Sequence, residues 1–165
     1  MAQEKLALIT GVSGFIAKHV ALRFLAAGWA VRGTLRSLDR ADEVRQALAP
    51  HLSASALAHL SFAKADLTSD DGWAAAAAGA QVLVHTASPF PMAQPKDPAD
   101  LINPAVQGTQ RALRFAYAAG VRRAVVTSSF IAVFDENKRG VQDELDWCDL
   151  KAKGTTAYAM SKTLA

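Results

Sequence analysis

Short runs of apolar residues alternate along the chain with longer segments in which apolar residues recur at helical spacing. The first run, Lys5–Thr10, is apolar at four consecutive positions, which is typical of a strand buried on both faces of a sheet. The next segment, 14–27, repeats apolar residues at helical spacing, and Gly28 follows it as a helix stop. This alternation predicts an α/β fold in which helices cover both faces of a parallel sheet.

The same alternation continues to the end of the sequence. Further strands are predicted at Trp29–Leu35, Leu60–Lys64, Gln81–Thr86 and Val121–Thr127, and further helices at Asp39–Ala49, 71–78, 100–119 and from Thr155 or Thr156 onward. Two segments between these elements are predicted to be loops. Residues 134–155 are polar and aperiodic, and residues 87–98 contain Pro89, Pro91, Pro95 and Pro98.

Composition limits the class of protein. The 165 residues suffice for one domain with its own core, and the 51% apolar content argues against disorder. The net charge is +3 and the basic residues are scattered among acids, which indicates no nucleic-acid partner. The single cysteine, Cys148, excludes an internal disulfide and is expected to be inert. The sequence shows neither a leader nor an apolar run of about 20 residues, so we expect a cytoplasmic protein without a membrane segment.

A glycine-rich turn is predicted between the first strand and the first helix. Residues 11–17 read Gly-Val-Ser-Gly-Phe-Ile-Ala and match the pattern Gly-x-x-Gly-x-x-Ala. Gly11 permits a tight turn, Gly14 lets backbone amides approach a pyrophosphate, and the small Ala17 lets the helix lie close to the sheet. The amino end of that helix attracts an anion through its free amides and its dipole. The turn therefore predicts nucleotide binding, with a purely structural turn as the alternative.

The end of the second predicted strand bears on the choice of nucleotide. NAD sites usually place an acid there, about 20 residues past the glycines, to bind the ribose 2′-hydroxyl. This chain has Arg36 at that position, followed by Ser37, and Arg40 lies nearby. A guanidinium suits a 2′-phosphate, so Arg36 favours NADP(H), although it could instead be a solvated arginine. Asp66, after the third strand, is placed to bind the adenine amino group or to cap a helix.

Tyr158 and Lys162 form a Tyr-x-x-x-Lys pair, which lies on one face of a helix. A neighbouring ammonium favours the phenolate and so makes a tyrosine a better proton donor at neutral pH. A serine hydroxyl could hold a substrate carbonyl and stabilise the developing alkoxide. Two serines, Ser128 and Ser129, follow the fifth predicted strand and compete for this role.

With these residues in place, the chain resembles the extended short-chain dehydrogenase/reductase superfamily. Within it, the chain is similar to the dihydroflavonol 4-reductase, cinnamoyl-CoA reductase and aldehyde reductase branch. The matching stretches occur in family order at 10–17, 32–37, 84–90, 103–109 and 125–129, with the Tyr-Ala-Met-Ser-Lys run after them. The resemblance implies a Rossmann-type, doubly wound parallel sheet with strand order 3-2-1-4-5.

The resemblance also implies roles for individual residues. Tyr158 would be the general acid, Lys162 its partner and a ribose ligand, and Ser129 rather than Ser128 the carbonyl binder. The implied cofactor contacts are Gly11, Ser13, Gly14, Phe15, Ile16, Arg36, Asp66, Leu67, Thr86, Ala87, Ser88, Thr127, Tyr158 and Lys162. His85 lies in a predicted buried strand and is expected to be a core histidine. The other histidines show no ligand spacing with cysteine, so no metal site is expected.

The expected activity is the NADPH-dependent reduction of an aldehyde or ketone to an alcohol, in a monomer or homodimer. A nucleotide-sugar epimerase or dehydratase and a catalytically idle cofactor-binding module are the alternatives. Members of the family continue well beyond their Tyr-x-x-x-Lys helix. We therefore expect residues 1–165 to form the NADP(H)-binding Rossmann domain, to end inside the catalytic helix and to lack the C-terminal substrate domain. We also expect poor turnover by this chain and an exposed apolar edge at the fifth strand that favours self-association.

Overall fold

Five parallel strands form one sheet with the order β3-β2-β1-β4-β5. The structure, a computed structural model of the chain, describes residues 5–90, 93, 95–135 and 137–165. The strands are β1 (Leu6–Thr10), β2 (Ala30–Leu35), β3 (Leu60–Lys64), β4 (Val82–His85) and β5 (Arg123–Val126). The helices are α1 (Phe15–Ala26), α2 (Ala41–Leu48), α3 (Ala54–Ala58), α4 (Trp73–Ala77), α5 (Ala99–Ala118) and α6 (Ala157–Leu164). The Rossmann-type fold and the strand order predicted from the sequence are confirmed.

The predicted and observed elements differ mainly in short segments. The sequence pattern missed α3, which has five residues, and the 3-10 turns at Leu38–Arg40, Ala49–His51 and Phe130–Ala132. Segments this short contain too few turns to show a periodic pattern. The predicted helix 71–78 is shortened to α4, because Gly72 precedes it with a φ of 80° and a β-carbon at Gly72 would lie 2.0 Å from the Lys64 carbonyl oxygen. Within the predicted loop 87–98, Pro91 lies outside the described residues.

The core consists of two apolar clusters, one on each face of the sheet. Successive residues of β1 point to opposite faces, so Ile9 joins the cluster under α1 and α2, while Leu8 joins the cluster under α4 and α5. Trp73 is fully buried in the second cluster. Because helices cover both faces of the sheet, a ligand can reach β1, β2 and β4 only at the ends of these strands.

β5 lies at the edge of the sheet, paired on one side with β4. Its four residues are exposed; Val125 and Val126 are 53% and 39% exposed. The predicted apolar edge is therefore present, and self-association through it stays a prediction. In the part of the chain that the structure describes, no helix is long and apolar enough to cross a membrane.

Three buried polar side chains connect β1, β4 and α5. Thr10, His85 and Thr109 are all less than 9% exposed. The imidazole Nδ1 of His85 lies 2.8 Å from the Thr10 hydroxyl oxygen, and its Nε2 lies 3.3 Å from the Thr109 hydroxyl oxygen. His85 is thus a core histidine, as predicted. Burial, and to a lesser extent the positive charge of Lys162, lowers the pKa of His85 to about 4.

We expect acid to destabilise the fold through His85. The unfolded chain takes up a proton at this residue near pH 6.5, whereas the folded chain does so only near pH 4. Above pH 6.5 His85 is neutral in both states and does not affect the free energy of unfolding. As the pH decreases from 6.5 to 4, the free energy of unfolding should fall by about 3 kcal/mol. Urea unfolding at several pH values measures this slope. The variant His85→Asn, whose side chain does not titrate, is the control and should lose most of this pH dependence. An equal pH dependence in both proteins would contradict the role of His85.

Candidate functional site

A cavity of about 800 Å³ runs along the ends of β1, β2, β3 and β4. Parallel strands present their carboxyl ends at one edge, and β1 and β4 are neighbours at the point where the strand order reverses, which is where ligands bind in open α/β sheets. Nine of the predicted cofactor-contact residues line this cavity: Gly11, Ser13, Gly14, Arg36, Asp66, Leu67, Thr86, Ala87 and Ser88. The other five, Phe15, Ile16, Thr127, Tyr158 and Lys162, are not among its lining residues.

The glycine-rich turn has the conformation that the sequence predicted. Gly11 adopts a φ of 63°, and its amide donates to the Thr34 hydroxyl at 3.0 Å. Gly14 precedes α1 in extended conformation without a side-chain cap, so the first amides of this helix are left for an anion. The role of Gly33 in β2 is not predicted by the sequence pattern. A β-carbon there would lie 2.3 Å from Val12 Cγ1, so only glycine lets the turn settle onto the sheet.

Two arginines stand at the end of the cavity beside β2. Both Arg36 and Arg40 are exposed and line the cavity. Arg40 forms a fork on Glu43, with three nitrogen–oxygen distances between 2.8 and 3.0 Å, and its remaining nitrogen donates to the Ser13 hydroxyl at 3.1 Å. Lys18 also contacts Glu43 at 3.5 Å. Arg40 therefore bridges the glycine-rich turn and α2, whereas Arg36 follows β2 directly.

Asp66 lines the cavity beyond β3, where the sequence placed it. One carboxylate oxygen accepts two hydrogen bonds from Thr68, from the amide at 2.8 Å and from the hydroxyl at 2.7 Å. These bonds lower the pKa of Asp66, and Arg36 and Arg111 lower it further. The alternative that Asp66 caps α4 is wrong, because Gly72 occupies the position before that helix. Both Thr68 hydrogen bonds end on the same carboxylate oxygen, and neither involves the other oxygen of Asp66.

Side chains from α4 and α5 support the loop that carries Asp66 and Leu67, and the sequence analysis missed them. The Trp73 indole donates to the Asp66 carbonyl at 2.8 Å, and Arg111 donates to the Leu67 carbonyl. At Gly108, an added β-carbon would lie 2.8 Å from Leu67 Cβ, so this helical glycine lets the loop pack directly on α5. A glycine in a helix interior is unfavourable by itself, which was the available signal for such a close contact.

The predicted catalytic pair lies on α6, which begins after Thr156. The Thr156 hydroxyl caps this helix by accepting from the Ala159 amide at 3.1 Å. Lys162 Nζ lies 5.7 Å from the centre of the Tyr158 ring, and partial burial lowers the pKa of this lysine. The Phe90 ring contacts Tyr158 edge-on, with ring centres 5.5 Å apart. Because Phe90 also lines the cavity, α6 adjoins the cavity's β4 end.

Ser129 is the residue before the 3-10 turn Phe130–Ala132, which packs against α6. Its hydroxyl oxygen accepts from the Ile131 amide at 3.4 Å, which uses a lone pair and not the hydroxyl proton. Ser128 is exposed and Ser129 is half-buried. The Thr127 amide donates to the His85 carbonyl at 2.9 Å and so extends the pairing of β5 with β4. Among the described residues, no group of three His, Cys, Asp or Glu side chains could hold a metal ion.

The comparisons with known proteins agree with this arrangement. The model of the NAD dependent epimerase/dehydratase family matches residues 7–165. A protein of Schizosaccharomyces pombe described as an uncharacterized oxidoreductase is 36% identical over 175 residues, which cover 98% of this chain and 51% of that protein. Dihydroflavonol 4-reductase of Arabidopsis thaliana is 34% identical over 173 residues, covering 100% of this chain and 44% of the reductase.

A solved structure extends the comparison to the fold. Gre2 of Candida albicans, crystallised in complex with NADPH, superimposes with a TM-score of 0.81 and 27% identity, covering 97% of this chain and 50% of Gre2. The chain thus spans about half the length of the relatives it matches. It belongs to the NAD dependent epimerase/dehydratase family and is similar to dihydroflavonol 4-reductase and Gre2 over about half of their length.

Proposed function

We propose that this chain supplies the NADPH site and the proton donor of a reductase that converts an aldehyde or ketone to an alcohol. The observation that carries the proposal is the continuity of the site. One cavity has the glycine-rich turn and Arg36 in its walls, and it reaches Phe90, whose ring contacts Tyr158. A dinucleotide is long enough to need such an extended site, with its phosphates at the helix amino end and its reactive ring near the proton donor.

NADPH, when bound, supplies the hydride that reaches the carbonyl carbon. The residues of this chain would do the rest. The hydroxyl of Tyr158 would give its proton to the carbonyl oxygen, and Ser129 would donate a hydrogen bond to the same oxygen as negative charge develops. Lys162 would hold the nicotinamide ribose and favour the loss of the Tyr158 proton through its charge. Ser129, Tyr158 and Lys162 are therefore the proposed catalytic residues.

The phosphate-rich half of the cofactor would lie between the turn and β2. The amides at the start of α1 would hold the pyrophosphate, close to Gly11, Ser13 and Gly14. Arg36 would bind the 2′-phosphate, and Asp66 would accept a hydrogen bond from the adenine. Support for NADPH over NADH comes from the cationic end of β2 and from the NADPH complex of Gre2. Arg40 could join Arg36 by leaving its exposed ion pair with Glu43, which costs little.

Residues 1–165 would then be the cofactor-binding half of the enzyme. The relatives are about twice as long as the matched region, so we propose that their remaining half corresponds to the substrate-binding part. An epimerase or dehydratase uses its nicotinamide cofactor without net consumption, whereas a reductase oxidises one NADPH per alcohol formed. Following NADPH absorbance during turnover of a carbonyl substrate separates the two functions.

Arg36→Ala is expected to weaken NADPH binding about 10-fold to 100-fold, because a phosphate loses a charge-assisted hydrogen-bond partner. NADH binding should be nearly unchanged, since NADH carries no 2′-phosphate. Fluorescence titration with both cofactors measures this. Arg23→Ala is the matched control, because Arg23 is an exposed arginine of α1 that does not line the cavity. Undiminished NADPH binding by the Arg36 variant would refute the assignment.

Tyr158→Phe is expected to lower the turnover of the active enzyme by about 10²-fold to 10⁴-fold, because only the phenolic proton donor is removed. Cofactor affinity should stay nearly constant. Lys162→Ala should lower both turnover and cofactor affinity, given its second role at the ribose. Steady-state kinetics and cofactor titration distinguish these patterns, and Tyr117→Phe, at an 83% exposed tyrosine of α5, is the control. Retention of most activity by Tyr158→Phe would require another proton donor.

Gly108→Ala is expected to weaken NADPH binding although alanine favours a helix by about 1 kcal/mol over glycine. The added methyl group would meet Leu67 at 2.8 Å and displace the loop that carries Asp66. Cofactor titration measures NADPH affinity and thermal unfolding measures stability. If helix propensity alone mattered, the variant would be more stable and its NADPH affinity would be unchanged, which would contradict the prediction. Gln110→Ala, on the exposed side of the same helix, is the control.

A further inference from the structure

We infer that His85 is a positioning residue for the cavity wall formed by Thr86, Ala87 and Ser88, and that it acts through the hydroxyl of Thr10. The inference rests on the proposed function, because these three residues line the cavity assigned to NADPH. His85 itself is 2% exposed and is not among the lining residues. Its effect on the site therefore passes through its hydrogen-bonded neighbours.

The Thr10 hydroxyl oxygen has three hydrogen-bond neighbours. The backbone amides of Thr86 and Ala87 both donate to it at 3.0 Å, and His85 Nδ1 lies 2.8 Å away. An amide can only donate, and a hydroxyl oxygen has two lone pairs and one proton. The two amides therefore occupy both lone pairs. The hydroxyl proton is left for Nδ1, which must accept it.

This assignment determines the tautomer of His85. A neutral imidazole that accepts at Nδ1 carries its proton on Nε2, and Nε2 faces the Thr109 hydroxyl oxygen at 3.3 Å. Thr109 of α5 therefore accepts the proton of Nε2. A proton on Nδ1 would bring a third donor to an oxygen with two lone pairs. The geometry thus requires an imidazole with one defined acceptor, directed at Thr10.

The hydroxyl of Thr10 holds the chain where it leaves β4 and meets the glycine-rich turn. Besides the two amide bonds, the Thr86 hydroxyl donates to the Thr10 carbonyl. Ala87 lies so close to the turn that a β-carbon on Gly11 would be 3.0 Å from its methyl group. If Nδ1 no longer accepted the Thr10 proton, the hydroxyl would reorient and give up one amide. The wall at 86–88 would then move relative to the turn.

Two substitutions at His85 separate positioning from packing. Asparagine places its side-chain oxygen where Nδ1 lies and so keeps the acceptor for Thr10, whereas glutamine reaches the position of Nε2 and loses that acceptor. We expect His85→Asn to bind NADPH within about 2-fold of the wild type and His85→Gln to bind it about 10-fold more weakly. Thr109→Val removes the partner of Nε2 only, and we expect it to lower the unfolding temperature with NADPH binding within about 2-fold.

A second pair of variants covers the case in which His85→Gln does not fold. Thr10→Val removes the hydroxyl and should weaken NADPH binding about 10-fold, and Thr10→Ser should restore most of the affinity because it keeps the hydroxyl. In the wild-type chain, long-range ¹H–¹⁵N spectra of the imidazole report the tautomer directly. A proton on Nε2 and none on Nδ1 at neutral pH is the expected result.

NADPH binding by the wild type and by the variants distinguishes the proposed function from the role of His85. A wild-type chain that does not bind NADPH would refute the proposed function. Wild-type binding with equal affinities of His85→Asn and His85→Gln, or of Thr10→Ser and Thr10→Val, would refute the positioning role and leave the proposed function intact. A proton on Nδ1 would also overturn it. Loss of affinity only in His85→Gln and Thr10→Val, with the Nε2 tautomer, supports the inference.

Discussion

The contact between the turn after β1 and the chain leaving β4 is the constraint on which the site depends. A β-carbon at Gly11 would press on Ala87 at 3.0 Å, so the two segments touch with no space for a side chain. The strand order makes β1 and β4 neighbours, while their following helices cover opposite faces of the sheet. The crevice that opens between them is a consequence of this topology. Gly11 and Ala87 both line the cavity that lies there.

The charges around the cavity are arranged asymmetrically. Arg36 and Arg40 stand at the β2 end together with the positive end of the α1 dipole. At the β4 end the wall residues Thr86, Ala87 and Ser88 are uncharged, and the buried His85 before them does not line the cavity. Lys162, half-buried on α6, adds a cation near Tyr158. The two arginines and the helix dipole make the β2 end the more cationic one, which suits the phosphates of an elongated ligand. The short ion pairs of Arg40 with Glu43 are exposed, so an incoming phosphate could replace them.

The loops that form the walls of the site are held by residues of neighbouring strands and helices. Trp73 and Arg111 bind the carbonyls of the loop after β3, and Gly108 lets that loop lie on α5. Gly33 lets the glycine-rich turn pack on β2, because it leaves room for the Val12 side chain. Trp73 and Arg111 act through side-chain hydrogen bonds to the loop backbone, and the two glycines act through close packing.

The sequence by itself determined the fold class, the five strands and the turn that leads into α1. These features depend on local patterns: continuous apolar runs, helical spacing, and glycines at fixed separation. It also placed Arg36 and Asp66 beside one cavity, because residues at the ends of parallel strands meet at one edge of the sheet, while their cofactor roles stay predictions. The short α3 and the 3-10 turns were missed, since their periodicity is too brief to detect.

Only the tertiary structure decided which residues support the site. The partners Thr10, His85 and Thr109 are far apart in sequence and meet only when β1, β4 and α5 pack together. Likewise, the unfavourable glycine at position 108 of a helix signals a close contact, but nothing local identifies Leu67 as its partner. Hydrogen bonds and close contacts between distant segments depend on the distances that the folded chain creates, and a sequence pattern contains no such distances.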